Sequence, residues 1–253
     1  MTRRRALVTG GSRGIGAAIA AQLAAAGHVV AVHCRVSRDA AQAVVSALPG
    51  RGHAVVTGDI ADPQQVQAMV SAAVSALGGV DVLVNNAGIY THQDLASIPY
   101  AQWQAAWRQV LDVNVHGTAN VTWCVVDHLL HRPEGPGGAR IITVGSRGAY
   151  RGEPTAPAYG ASKAAVHSMT QSLAIALAPH DIAVAAVAPG FTRTDMAESV
   201  LAGAAGEAIR AQSPFGRVAE PDEVASAVAW LASPLAQWAS GAVLDLNGAS
   251  YLR

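Results

Sequence analysis

Arg5-Ala6-Leu7-Val8-Thr9-Gly10-Gly11-Ser12-Arg13-Gly14-Ile15-Gly16 decides how the rest of the chain reads. Arg5–Thr9 is an apolar run of strand length, the glycines make a tight turn, and Ile15–Ala26 is an alanine-rich helical stretch. Gly27 closes that stretch, because glycine takes the positive φ of a helix C-terminus without a Cβ clash. Such a turn lets backbone approach a pyrophosphate, whose charge the helix N-terminus favours. The spacing is Gly-x-x-x-Gly-x-Gly, so taken alone it also fits a plain strand-to-helix turn. Gly10-Gly11-Ser12-Arg13-Gly14 has a third reading as Gly-x-Ser-x-Gly, the turn that presents a serine nucleophile in hydrolases. Position argues against it, since no earlier strand is left to carry an oxyanion loop.

Outward from this turn, strand-like and helical runs alternate. Strands are expected at His28–His33, Ala54–Thr57, Val80–Val84, Arg140–Val144, Ala183–Val187 and Ala242–Leu246. Helices are expected at Ala40–Leu48, Pro63–Leu77, Ala101–His131, Pro157–Leu177 and Pro221–Ala232. Continuous β-branched strands, each followed by a helix, predict an α/β fold: a doubly wound parallel sheet of about seven strands with helices on both faces. The connection from Pro189 to about Arg217 shows no element of its own, and loops of that length tend to be functional lids.

Composition excludes several classes. With 51% hydrophobic and 13% charged residues in 253, the chain is too apolar to stay disordered and long enough for one sizeable core. Zero net charge gives no basic stripe for nucleic acid. Its most apolar stretch, Ala17–Cys34, is broken by Gln22, Gly27, His28 and His33, so no membrane span is expected. Arg3-Arg4-Arg5 lacks the unbroken apolar run of a signal peptide behind it. Cys34 and Cys124 support neither a disulfide framework nor a zinc site. His128 and His131 share a helix face without a third ligand and read as a solvated pair. A soluble, cytoplasmic chain without a metal is expected.

Four further segments narrow the function: Asn85-Asn86-Ala87-Gly88, Asn114, Ser146 and Tyr159-Gly160-Ala161-Ser162-Lys163. Together with Thr9–Gly16, in this order and spacing, the chain resembles the short-chain dehydrogenase/reductase family, and within it ketoreductases of the 3-oxoacyl-acyl-carrier-protein type. The likeness runs through Pro189-Gly190 to Ser240-Gly241. It implies a single NAD(P)-binding Rossmann domain over residues 1–253 with a substrate lid at about 189–217, usually assembled as a homotetramer or dimer.

The chemistry also follows from the residues. Tyr159 and Lys163 are four apart and lie on one helix face. A tyrosine titrates near pH 10, so it is a poor proton donor at neutral pH until a cation lowers that value, and Lys163 is placed to do so. Ser146 would hydrogen-bond the substrate oxygen while Tyr159 passes it a proton. Lys163 is the only lysine among the 17 Lys+Arg residues. Arginine cannot mimic a compact, tunable ammonium, so a chemical requirement at this position is expected. The resemblance gives Asn114 a water that links the lysine to solvent.

By the same resemblance, Gly10, Ser12, Arg13, Gly14, Ile15 and Gly16 would hold the cofactor's phosphates. Asp59 and Ile60 would meet the adenine, and Asn86, Ala87 and Gly88 the central part. Tyr159 and Lys163 would reach the nicotinamide ribose, and Pro189, Gly190, Thr192 and Thr194 the carboxamide, with Thr194 favoured over Thr192. The second strand ends in His33-Cys34-Arg35, without the acid that binds a ribose 2′-OH. Arg13 and Arg35 would clamp a 2′-phosphate, so NADP(H) is favoured over NAD(H). Two other readings stay open: an NAD-dependent alcohol dehydrogenase of the same family, and a dinucleotide-binding regulatory protein without turnover. Tyr90, His92, Gln93, Arg147, Tyr150, Arg151, Glu153, Phe191 and Met196 are expected to border the pocket. Arginines at its mouth would suit an anionic or carrier-bound acyl substrate. Gly145 stands where the family more often has serine, a change that bears on the pocket. Asn247-Gly248-Ala249 replaces the family's common Asp-Gly-Gly and bears on subunit contacts.

Overall fold

A computed structural model describes residues 3–203 and 205–253, without the side chains of residues 195, 196, 199 and 200. The strands are β1 (Arg5–Val8), β2 (Val29–Cys34), β3 (Ala54–Thr57), β4 (Val82–Asn85), β5 (Arg140–Val144), β6 (Ala183–Pro189) and β7 (Val243–Leu246). All pair in parallel in the order β3-β2-β1-β4-β5-β6-β7. The order reverses at β1, which lies between β2 and β4. That leaves a crevice beyond the carboxyl ends of β1 and β4, where doubly wound sheets bind ligands.

The helices are α1 (Gly14–Ala25), α2 (Arg38–Ala47), α3 (Pro63–Leu77), α4 (Tyr100–Leu111), α5 (Thr118–His131), α6 (Gly148–Arg151), α7 (Pro157–Leu177), α8 (Asp195–Ala202), α9 (Gly206–Arg210) and α10 (Pro221–Ala232). Alternation along β1 sorts the core into two layers. Ala6 and Val8 pack with Ile19 and Leu23 of α1 and Val224 and Val228 of α10. Leu7 points the other way, to Met69 of α3 and Val121 and Val125 of α5. Gly27, at φ 91, ends α1 in a Schellman turn, its N–H on Ala24 and the His28 N–H on Leu23. Asp62 caps α3 by accepting from the Gln64 and Gln65 N–H groups. Under the sheet, Asp81 holds Arg5 and Arg132 at 2.8 and 2.6 Å, and these ion pairs keep its carboxyl far below the usual range.

Three expectations are corrected. The helix expected over Ala101–His131 is interrupted by a widened π turn, Asp112–Gly117. Asn114 sits in that turn, and the π turn is a feature that recurs at functional sites. The segment after Pro189 is not elementless: α8 and α9 lie in it, too short and too alanine- and glycine-rich to show periodicity. His128 is no solvated partner of His131, for its Nε2 accepts the Val80 N–H at 3.2 Å. Among the described residues, no helix is long and apolar enough to cross a membrane and no cluster of ligands could hold a metal.

Candidate active site

One cleft of about 480 Å³ runs across the crevice, and nearly all the singled-out residues line it. At its first end, the turn after β1 is built by backbone contact. Gly10 and Gly14 have φ of +63 and +54, and a Cβ on Gly16 would lie within 2.5 Å of Asn86 Nδ2 and closer still to the Gly10 carbonyl oxygen. Thr9 Oγ1 accepts the N–H groups of Asn86 and Ala87 at 3.0 Å, and Asn86 Nδ2 donates to the carbonyls of Thr9 and Gly10. This stitching holds the segment after β4 against the turn and keeps open a cradle that side chains would fill. A pyrophosphate fits it, with the α1 N-terminus behind.

His33 fastens the same turn from the far side, a role sequence reasoning missed. Its Nδ1 accepts the Gly10 N–H at 3.1 Å, and its Nε2 lies 2.9 Å from the Gly58 carbonyl. Those partners fix a neutral ring protonated on Nε2, and burial holds its pKa below the ordinary value. Nothing in a β-branched strand distinguishes such a histidine from any other buried one. The two bonds also answer the serine-hydrolase reading. His33 spends both nitrogens, and among the described residues no histidine hydrogen-bonds Ser12.

Arg13, Arg35 and Asp59 line the cleft at the end of β2 and β3. Arg35 is exposed, with Nη1 3.5 Å from Asp59 Oδ2. Asp59 therefore restrains Arg35 as well as accepting the Ala61 N–H at 3.0 Å. Ser37, which begins α2, lines this corner too and was not singled out from the sequence.

At the other end, α7 presents Tyr159 and Lys163 to the cleft beneath Ser146, which follows β5. The Lys163 ammonium donates to the Val144 carbonyl at 2.9 Å and lies 5.6 Å from the Tyr159 ring centroid. Ser146 Oγ accepts the Gly148 N–H at 2.9 Å and neighbours the Tyr159 hydroxyl. A Cβ on Gly88 would lie 3.5 Å from Lys163 Nζ and 3.3 Å from Asn114 Oδ1, so the three converge. Asn114 spends its amide on the Ile89 N–H, the Ile89 carbonyl and Ser162 Oγ, at 2.8, 3.0 and 3.0 Å.

The electrostatic expectation for Tyr159 is corrected. Part of its surface opens to the cleft, but protein crowds it closely, and this desolvation pushes its pKa up to about 12. The neighbouring Ser146 hydroxyl pulls it down, while Glu153 and Tyr90 push it up. Lys163 faces the ring and not the hydroxyl, and burial brings its own pKa down to about 8. At pH 7 that leaves roughly ten protonated lysines to one neutral.

Tyr90, Arg147, Glu153 and Phe191 border this end as expected. His92, Gln93, Tyr150 and Arg151 do not line the cleft, and the Met196 side chain lies outside the described residues. Gln93 is fully buried, its Oε1 on the Ala158 N–H. Arg151 donates to Gln212, and Tyr150 stacks on His167 at 5.2 Å. Gly145 has its counterpart in His167: a Cβ at 145 would fall on that ring's Nε2. Pro189, Gly190, Thr192 and Thr194 all line the cleft. The Thr192 hydroxyl donates to the Gly190 carbonyl at 3.3 Å, and Thr194 Cγ2 lies 3.2 Å from where a Gly14 Cβ would be.

A dinucleotide cradle and a Ser–Tyr–Lys cluster in one cleft define a dinucleotide-dependent oxidoreductase. A family model described as enoyl-(acyl carrier protein) reductase matches residues 10–248. The chain is 37% identical over 251 residues, 98% of each sequence, to the 3-oxoacyl-(acyl-carrier-protein) reductase FabG of Staphylococcus aureus. Among solved structures it is similar to a short chain dehydrogenase from Burkholderia cenocepacia in complex with NADP, with TM-score 0.86, 37% identity, and 98% and 97% of the two chains covered. It is also similar to 3-ketoacyl-(acyl-carrier-protein) reductase from Brucella melitensis complexed with NADH, with TM-score 0.88, 33% identity, and 98% of each chain covered. The chain belongs to the short-chain dehydrogenase/reductase family and is an oxidoreductase of carbonyl and hydroxyl groups.

Proposed function

We propose that the chain is an NADPH-dependent ketoreductase whose catalytic set is Asn114, Ser146, Tyr159 and Lys163. The observation that carries this is the convergence of Ser146, Tyr159 and Lys163 at one end of the cleft whose other end is the glycine cradle. Bound NADPH supplies the hydride. Ser146, its oxygen already accepting the Gly148 N–H, donates its own proton towards the substrate oxygen. Tyr159, held protonated at neutral pH, gives its proton to that oxygen as negative charge grows on it. The carbonyl becomes an alcohol, and Lys163 favours the tyrosinate left behind. Tyr159 is reprotonated at the expense of Lys163, which regains its proton from water on the Asn114 carbonyl. Arg13 and Arg35 favour NADP(H) over NAD(H), since the corner they share offers guanidinium to a 2′-phosphate and its one acid, Asp59, pairs with Arg35.

Residues 189–217, with α8 and α9, close over the nicotinamide and substrate as a lid, and Thr194, whose hydroxyl makes no bond among the described residues, meets the carboxamide. Reduction of 3-oxoacyl thioesters is the substrate reading that the relatives' names support. Tyr100, Trp123 and Ile175 on one side, and Trp230, Leu235 and Trp238 on another, are exposed apolar residues that support a homo-oligomer; a tetramer in the cytoplasm is what the family resemblance implies. The test is cofactor oxidation by the purified protein on 3-oxoacyl thioesters, cyclic ketones and quinones, with NADPH and with NADH. NADPH-driven turnover of a ketone is expected. Binding of both cofactors with no turnover would favour the regulatory reading.

A further inference from the structure

Glu153 is a half-buried carboxylate with no assigned part in the chemistry above. It lies between α6 and α7 and lines the cleft beside Ser146, Tyr159 and Tyr90. Two glycines give it room. Its Oε1 would be 2.5 Å from a Cβ on Gly148, and its Cβ 3.8 Å from one on Gly160. Among the described residues its carboxylate makes no hydrogen bond and no ion pair.

The nearest cations are engaged elsewhere. Arg147 donates to Ser250 Oγ at 2.5 Å and lays its guanidinium 5.5 Å from the centroid of the Phe191 ring. Arg151 donates to Gln212 Oε1 at 2.5 Å. A carboxylate half withdrawn from water in a cleft, with no protein donor on it, is placed to take a donor from a ligand. Burial accordingly raises the Glu153 pKa.

We propose that Glu153 is a specificity residue that accepts a hydrogen bond from a hydroxyl on the substrate, close to the reacting carbonyl. The preferred substrates are then hydroxyketones, or vicinal diols in the reverse direction. A hydroxyl suits it better than an ammonium, because Arg147 and Arg151 set a positive field around the position. The inference rests on the reductase reading of Tyr159 and does not depend on the thioester reading.

The experiment compares 2-hydroxycyclohexanone with cyclohexanone in NADPH oxidation by the wild type, Glu153→Leu and Glu153→Gln. NADPH titration confirms that each variant keeps its fold. The wild type should prefer the hydroxyketone by about 10- to 100-fold in kcat/KM, the range of a hydrogen bond to a charged group. Glu153→Leu should erase that preference mainly through KM, and Glu153→Gln should fall between. Equal losses on both ketones, or a wild type without preference, would overturn the proposal and leave the reductase intact. No turnover of either ketone, with NADPH bound, would overturn the reductase reading and this inference together.

Discussion

The two ends of the cleft are built on opposite principles. At the glycine turn, the side chains of Thr9, Asn86 and His33 are spent on backbone groups of the turn and its neighbours, and space is made by leaving side chains out. At the substrate end, polar groups are left wanting. Tyr159 is pushed to about 12, Lys163 down to about 8, Glu153 lacks a partner, and both ring nitrogens of His167 are buried without one. The first end is a rigid cradle whose residues serve stability and binding together. The second holds desolvated groups at Tyr159 and Lys163, so its residues trade stability for function.

That contrast breaks most easily at Gly16. Gly16→Ala should lower NADPH affinity by more than about 100-fold and destabilise the fold, since neither the Gly10 carbonyl nor the Asn86 amide can yield. Fluorescence titration and urea unfolding check both. A smaller loss, about 30-fold, is expected for NADPH with Arg35→Ala, while NADH affinity changes less than about 3-fold. An equal loss for both cofactors would remove the 2′-phosphate assignment.

At the other end the sign should reverse. Because Lys163 titrates near 8 in the folded protein and near 10.5 unfolded, the unfolded chain holds the proton more tightly. Folding is penalised below pH 8, and the penalty fades between pH 8 and 10.5. Lys163→Met should therefore abolish turnover yet raise stability by on the order of 2 kcal/mol at pH 7, with the gain gone near pH 10.5. Urea midpoints at the two pH values decide it.

A weaker effect separates the histidines. His28 and His167 are both pushed down to about 4 by burial, so stability is full above pH 6.5 and falls as pH drops towards 4. Each contributes about 2 kcal/mol of that loss. His28→Leu and His167→Leu should each flatten the acid limb measured by urea unfolding from pH 7 to 4.5.

The same contrast explains what was legible. Strands and helices came through because parallel strands buried on both faces leave β-branched runs, and Ala54–Thr57, Arg140–Val144, Pro63–Leu77, Pro157–Leu177 and Pro221–Ala232 match the structure end to end. Residues in the cradle and the Tyr159–Lys163 pair were readable because their spacing is fixed by local backbone geometry. The π turn at Asn114 was not, since a single widened turn barely alters apolar periodicity. Nor was the engagement of Arg147 and Arg151 with Ser250 and Gln212, partners 61 to 103 residues away. Their side chains are tied down by those partners, which leaves Glu153 as the carboxylate without a protein donor at the pocket. The sign of the Tyr159 shift was misread for a related reason: sequence spacing places the lysine near, but only packing decides whether desolvation outweighs it.

The most direct test of the central claim is single-turnover oxidation of bound NADPH by a reducible ketone in Tyr159→Phe. Loss of the hydroxyl should cut the rate by about 1,000-fold or more, with NADPH affinity within about 3-fold of the wild type. A rate in the variant close to that of the wild type would contradict the account, since the proton would then come from another donor.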